Sequence, residues 1–135
     1  MKLNVKLFAD GADKGGMLEM YSNPLISGFT TNPTLMKVAG VKDYRVFAFD
    51  ILNSFKDKPI SFEVFGDDYY SMLDQALKIK TWGKNIYVKV PVINSKGKFS
   101  GKIINELNKK NIKINLINIF YSYFHKFIRI IAYWI

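Results

Sequence analysis

The sequence predicts an α/β fold of parallel strand–helix units, and three observations lead there. Short apolar runs that suit strands recur along the chain. Between them lie segments whose apolar residues repeat at three and four positions, the spacing of a helix with one buried face. The two kinds alternate, which is the pattern of βαβ units and a parallel sheet. Right-handed crossovers then bring every strand C-terminus to one edge, where such folds carry their sites. Asp10, Asn32, Glu63, Lys89 and Asn115 all fall at or near predicted strand C-termini.

In order, Leu3, Val5 and Leu7 alternate with polar residues and predict a strand ending at Asp10. Lys14-Gly15-Gly16 reads as a turn, and Met17 to Tyr21 as a short helix ended by Asn23-Pro24. Leu25 to Phe29 predicts a second strand. It runs into Thr30-Thr31-Asn32-Pro33-Thr34, with the proline in a helix first turn, where its missing N–H costs nothing. Gly40 ends that helix. A longer helix is expected from Asp43 to Phe55, and a third strand from Ile60 to Phe65 with Glu63 inside it. Asp67 or Asp68 caps the next helix, in which Tyr69, Met72, Leu73, Ala76, Leu77 and Lys80 keep a helical period. Ile86 to Val90 is a fourth strand closed by Pro91, Ser100 to Lys110 a helix, and Ile112 to Leu116 a fifth strand.

The 135 residues suit a single domain able to bury a real core. With 49% hydrophobic and 23% charged residues the composition is globular. The absence of cysteine excludes a disulfide framework and a thiolate metal site. No signal-peptide stretch follows Met1, so a cytoplasmic location is expected. The net charge of +9 is uneven. Residues 1–74 carry 8 basic and 10 acidic side chains, and residues 75–135 carry 12 basic side chains and one acid, Glu106. That half could bind phosphate or RNA. The simpler reading is compositional bias in a chain rich in Lys, Ile, Asn, Phe and Tyr, and no nucleic-acid partner is expected.

After Asn118 the chain turns aromatic and apolar without a clean period. His125, Lys126 and Arg129 interrupt it, and central charges are costly in a bilayer. A buried helix or an ill-fitting tail is expected there rather than a membrane span.

Lys89 stands in Ile-Tyr-Val-Lys-Val-Pro-Val, an apolar strand expected to be buried. Burying an unpaired charge is expensive. Desolvation favours the neutral amine, a nucleophile toward carbonyls. Spacing alone fits a plainer reading as well, a lysine at a strand end whose ammonium reaches water. Glu63 and Asp10 could serve as general acid and base, or as an ion pair and a cap. Asn32 and Asn115 could hydrogen-bond hydroxyls, or be turn residues. Asp67-Asp68 reads as a solvated helix start, so no metal site is expected. No Gly-rich phosphate loop occurs, and His125, the lone histidine, lies in the tail.

Gly28-Phe29-Thr30-Thr31-Asn32-Pro33-Thr34-Leu35 resembles the transaldolase family signature. Val88-Lys89-Val90-Pro91 is similar to that family's Schiff-base lysine segment, Phe8-Ala9-Asp10-Gly11-Ala12-Asp13 to its first-strand segment, and Ser61-Phe62-Glu63-Val64 to its third-strand segment. The four occur in the family's order, and the resemblance covers residues 3 to about 120. It implies an α/β fold of parallel units of a TIM barrel, incomplete, with about five of eight strands. It implies that Lys89 forms an imine with a ketose phosphate, that Glu63 positions a water, and that Asp10 takes and returns protons. Thr31, Asn32 and Asn115 would bind substrate. A dihydroxyacetone unit would pass between sugar phosphates, a reaction of the pentose phosphate pathway, with no metal or organic cofactor because the imine is the electron sink. Related fructose-6-phosphate aldolases usually carry glutamine at the position of Glu63, so the resemblance leans to transaldolase.

Two departures qualify it. Where the family's fifth strand reads Asn-Leu-Thr or Asn-Val-Thr, this chain has Asn115-Leu116-Ile117. Strands six to eight, with the family's phosphate-binding arginine and serine, are missing. The expected organisation is a partial barrel over 1–117 and a tail over 118–135, the tail arising from a shifted reading frame or a truncated gene near residue 117. An open sheet edge invites self-association or a homo-oligomer, and the fragment could be inactive.

Overall fold

The computed structural model describes residues 5–117 and the backbone of 131–134. The fold is α/β, an incomplete parallel (β/α) barrel: among the described residues β1 to β5 alternate with helices in the order the sequence predicts. The chain forms two compact units.

The first unit spans Met1–Glu63 and Thr81–Ile86. It holds β1 (Leu7–Asp10), α1 (Lys14–Tyr21), β2 (Ile26–Thr30), α2 (Pro33–Val38), α3 (Tyr44–Ser54) and β3 (Ile60–Glu63). β1 pairs in parallel with β2, and β2 with β3, with Asp10 opposite Thr30 and Thr30 opposite Ser61. Gly28 permits this pairing. A Cβ there would stand 2.5 Å from the Phe8 ring and 2.7 Å from the Pro59 carbonyl oxygen. Any side chain would push β2 off its neighbours. The core is aromatic: Phe29 and Phe55 are fully buried with ring centroids 4.9 Å apart, and Tyr21 meets Phe55 edge-on at 4.8 Å. Each such phenylalanine contributes about 2 kcal/mol by leaving water. Lys58 closes α1, its Nζ donating to the carbonyls of Tyr21 and Asn23 at 2.7 and 3.1 Å. A cation there suits the negative end of a helix.

The second unit spans Val64–Lys80 and Tyr87–Ile135, with α4 (Tyr69–Lys80), β4 (Ile86–Pro91), α5 (Gly101–Lys109), β5 (Ile114–Ile117) and β6 (Ile131–Trp134). β4 and β5 are parallel, with Val88 opposite Ile114 and Lys89 opposite Asn115. Gln75 accepts from the backbone N–H groups of Phe65 and Gly66 at 2.6 and 2.8 Å, fixing the entry to α4. Val88, Val90, Ile103, Leu107 and Ile114 form the core.

One local expectation needs correction. The Lys14-Gly15-Gly16 turn is the first turn of α1, because the Asp13 carboxylate accepts from the Gly16 N–H at 2.8 Å and caps a helix over both glycines. Of the two cap candidates for α4, Asp68 takes the place, accepting from Tyr70 and Ser71, while Asp67 turns to Ser95. Ile131–Trp134 forms a strand antiparallel to β5, within a tail that the sequence leaves open between a buried helix and an ill-fitting segment. The rest of the tail and the residues preceding Val5 lie outside the described residues. Among the described residues no helix is long and apolar enough to cross a membrane.

Candidate active site

Buried polar side chains cost free energy unless they are partnered, so their positions are informative. Among the described residues they are Thr30, Thr31, Asn32, Ser61, Glu63, Lys89, Ser100 and Asn115. Five of these, Thr31, Asn32, Glu63, Lys89 and Asn115, are candidates already picked out by the sequence.

In the first unit, Asp10 ends β1, and only Thr31 and Asn32 separate β2 from α2. Asn32 uses both ends of its amide. Its Oδ1 accepts from the Leu35 N–H at 2.9 Å and caps α2, which orients Nδ2 to donate to Asp10 at 3.1 Å. Pro33 at the first helical position makes this sharp junction possible. The structure thus brings Asp10 and Asn32 together, with the helix cap fixing the direction of the contact. Thr31 is fully buried, and its N–H donates to the Ser61 carbonyl at 3.1 Å.

Glu63 ends β3 and is buried. Its carbonyl accepts from the Tyr44 hydroxyl at 3.0 Å, and the Tyr44 side chain also hydrogen-bonds Thr31. Burial, reinforced by the Glu63 charge, pushes the Tyr44 phenol well above its usual range. It is therefore a neutral donor at any ordinary pH. Tyr44 stacks edge-on against Trp82 at 5.3 Å, and Trp82 in turn meets Phe62 at 5.7 Å. Sequence reasoning missed Tyr44, since the first residue after a helix cap carries no signal of what it will touch. It also passed over Ser61, whose polarity inside an apolar strand was the available clue.

In the second unit, Lys89 is 1% exposed and Asn115 fully buried. Their register pairs them on adjacent parallel strands, so both side chains leave the sheet on the same face. The plainer reading of Lys89, an ammonium reaching water from a strand end, does not survive this burial. A buried amine beside an amide is an arrangement suited to attack on a carbonyl, and a buried carboxylate to proton transfer. Among the described residues no group of three or more His, Asp or Glu could hold a metal ion.

Similarity to known proteins points to one family. Residues 7–123 match the profile of the Transaldolase/Fructose-6-phosphate aldolase family. A probable transaldolase of Dehalococcoides mccartyi is 30% identical over 112 residues, 83% of this chain and 50% of that protein. One from Thermoanaerobacter sp. is 35% identical over 116 residues, and one from Methanococcus maripaludis strain C6 is 33% identical over 116, each over 86% of this chain and 51% of the relative. The chain spans about half the length of the curated relatives it matches. With the signature segments on β1, β2, β3 and β4 and the profile covering most of its length, the chain belongs to the Transaldolase/Fructose-6-phosphate aldolase family.

Proposed function

We propose that this chain carries the imine-forming part of a transaldolase-type enzyme acting on sugar phosphates. The observation that carries the reading is the burial of Lys89, in register with Asn115, inside an apolar strand. The Lys89 amine adds to the carbonyl carbon of a ketose phosphate, and loss of water leaves the imine. Deprotonation of the C4 hydroxyl then breaks the C3–C4 bond. The bonding pair moves into the protonated imine, giving an enamine, and an aldose phosphate leaves. The enamine attacks a second aldose, and water releases the product and the free amine. Asp10 takes and returns the hydroxyl proton, and Glu63 positions the water. Thr31, Asn32 and Asn115 hold substrate hydroxyls. The imine supplies the electron sink, so the scheme calls for no cofactor. The reaction belongs to central carbohydrate metabolism in the cytoplasm.

The contact between Asn32 and Asp10 supports the proton-transfer role, because a carboxylate held by a fixed donor keeps one orientation through both transfers. Borohydride reduction in the presence of fructose 6-phosphate tests the proposal. A stable adduct on the wild-type chain and none on Lys89→Met is the expected result. No adduct on the folded wild-type chain would sink the activity.

A further inference from the structure

We propose that the second unit contains a phosphate-binding site at the N-terminus of α5, built around Ser100. The site would take the phosphoryl group of a phosphate monoester. It stands on this unit alone and does not depend on the imine chemistry of Lys89.

Ser100 occupies the N-cap of α5, the place where a serine ordinarily accepts a hydrogen bond from the first turn. It does not do so here: no side-chain hydrogen bond caps the helix. Ser100 is 5% exposed, and its hydroxyl has no hydrogen-bond partner. A buried, unsatisfied hydroxyl costs about 1–3 kcal/mol, so its retention needs a reason. A ligand that accepts from the hydroxyl and from the first N–H groups of α5 would supply one. The positive end of the helix dipole selects an anion for that place.

The surroundings agree. Ser100 lines a cavity of about 380 Å³ together with Lys96, Lys98 and Lys102. Lys102 is steadied with its Nζ 4.3 Å above the Tyr69 ring, another wall of the cavity. Two acids, Asp67 and Asp68, also line it. Both are engaged locally. Asp67 accepts from the Ser95 N–H and hydroxyl at 2.8 and 2.6 Å, and Asp68 accepts from Tyr70 and Ser71 as the cap of α4. These contacts hold both carboxyls below their ordinary range. Both stay ionised, so three lysines and the N-terminus of α5 are set against two carboxylates whose oxygens are turned to their own hydrogen-bond donors. The loop that delivers Ser100 is itself braced. Ile93 bridges Phe99, Gly97 turns with φ +73°, and the Ser100 N–H donates to the Val92 carbonyl at 2.8 Å.

The test is a titration of the ¹⁵N-labelled full-length chain with inorganic phosphate, at constant ionic strength against a chloride control. The amides of Gly101, Lys102 and Ile103 should shift saturably with phosphate and not with chloride. Ser100→Ala should weaken phosphate binding about tenfold, the loss of one hydrogen bond to a charged acceptor. Lys102→Met, at an exposed side chain, should weaken it about threefold. Ser100→Asp places a carboxylate where the phosphate would sit and should abolish binding while leaving the spectrum folded. Absence of a saturable shift at these amides, an equal response to chloride, or equal affinity in wild type and Ser100→Ala would each overturn the proposal.

Discussion

Two strand-to-helix junctions in this molecule solve the same problem differently. Between β2 and α2 the connection is Thr31 and Asn32 alone, and Asn32 uses both ends of its amide, on the Leu35 N–H and the Asp10 carboxylate. Between β4 and α5 the chain takes a longer path through Val92 to Ser100, folds back on itself with Ile93 against Phe99, and ends on a serine that caps nothing. A helix leaves its first N–H groups without intrahelical partners, and something must meet them. The first junction meets them internally and uses the leftover donor to aim a carboxylate. The second leaves them to whatever enters the cavity. The contrast teaches that a cap can hold a neighbouring carboxylate in place or leave the helix end open, depending on one side-chain contact.

Substitutions at the two caps sharpen this contrast. Asn32→Ala removes the cap and the Asp10 contact together and is expected to destabilise the fold by about 2 kcal/mol, read as a lower midpoint in urea unfolding. A change within about 0.5 kcal/mol would show that the cap is not needed. Tyr44→Phe deletes the donor to the Glu63 carbonyl and should cost about 1 kcal/mol. Its sign with pH is fixed by the direction of the shift. A phenol whose folded value is raised stabilises the fold below the ordinary phenol range, and that stability is lost as pH rises past it. Melting temperatures above about pH 10 should therefore fall more steeply for wild type than for Tyr44→Phe. Ser100→Ala should do least harm: it removes a buried hydroxyl that has no partner, and should raise stability by about 1 kcal/mol in phosphate-free buffer. A loss as large as that of Asn32→Ala would show that Ser100 is an ordinary cap.

Much of the fold could be read in advance because periodicity and punctuation agree. Tyr69 to Lys80 kept a helical period, and α4 begins and ends at those residues. Pro33 and Gly40 marked a helix start and a helix end, and Asp43 the start of the next helix, which the structure shows it caps. The paired glycines at 15 and 16 misled because their intrinsic preference for turns is overridden by a single carboxylate, that of Asp13. Of the site, Lys89 stood out because a charge in an apolar strand demands an explanation, and burial now excludes the solvated one. Tyr44 was illegible, since its importance comes from contacts with Thr31 and Glu63 that no local pattern encodes. Ser100 was legible as a helix start, but its lack of a capping bond is visible only in three dimensions.

The most direct test of the proposed chemistry is peptide mapping of the chain after borohydride reduction with fructose 6-phosphate. The account predicts a reduced adduct confined to the peptide that carries Lys89, within Ile86–Pro91. An adduct spread over exposed lysines with Lys89 unmodified would contradict it.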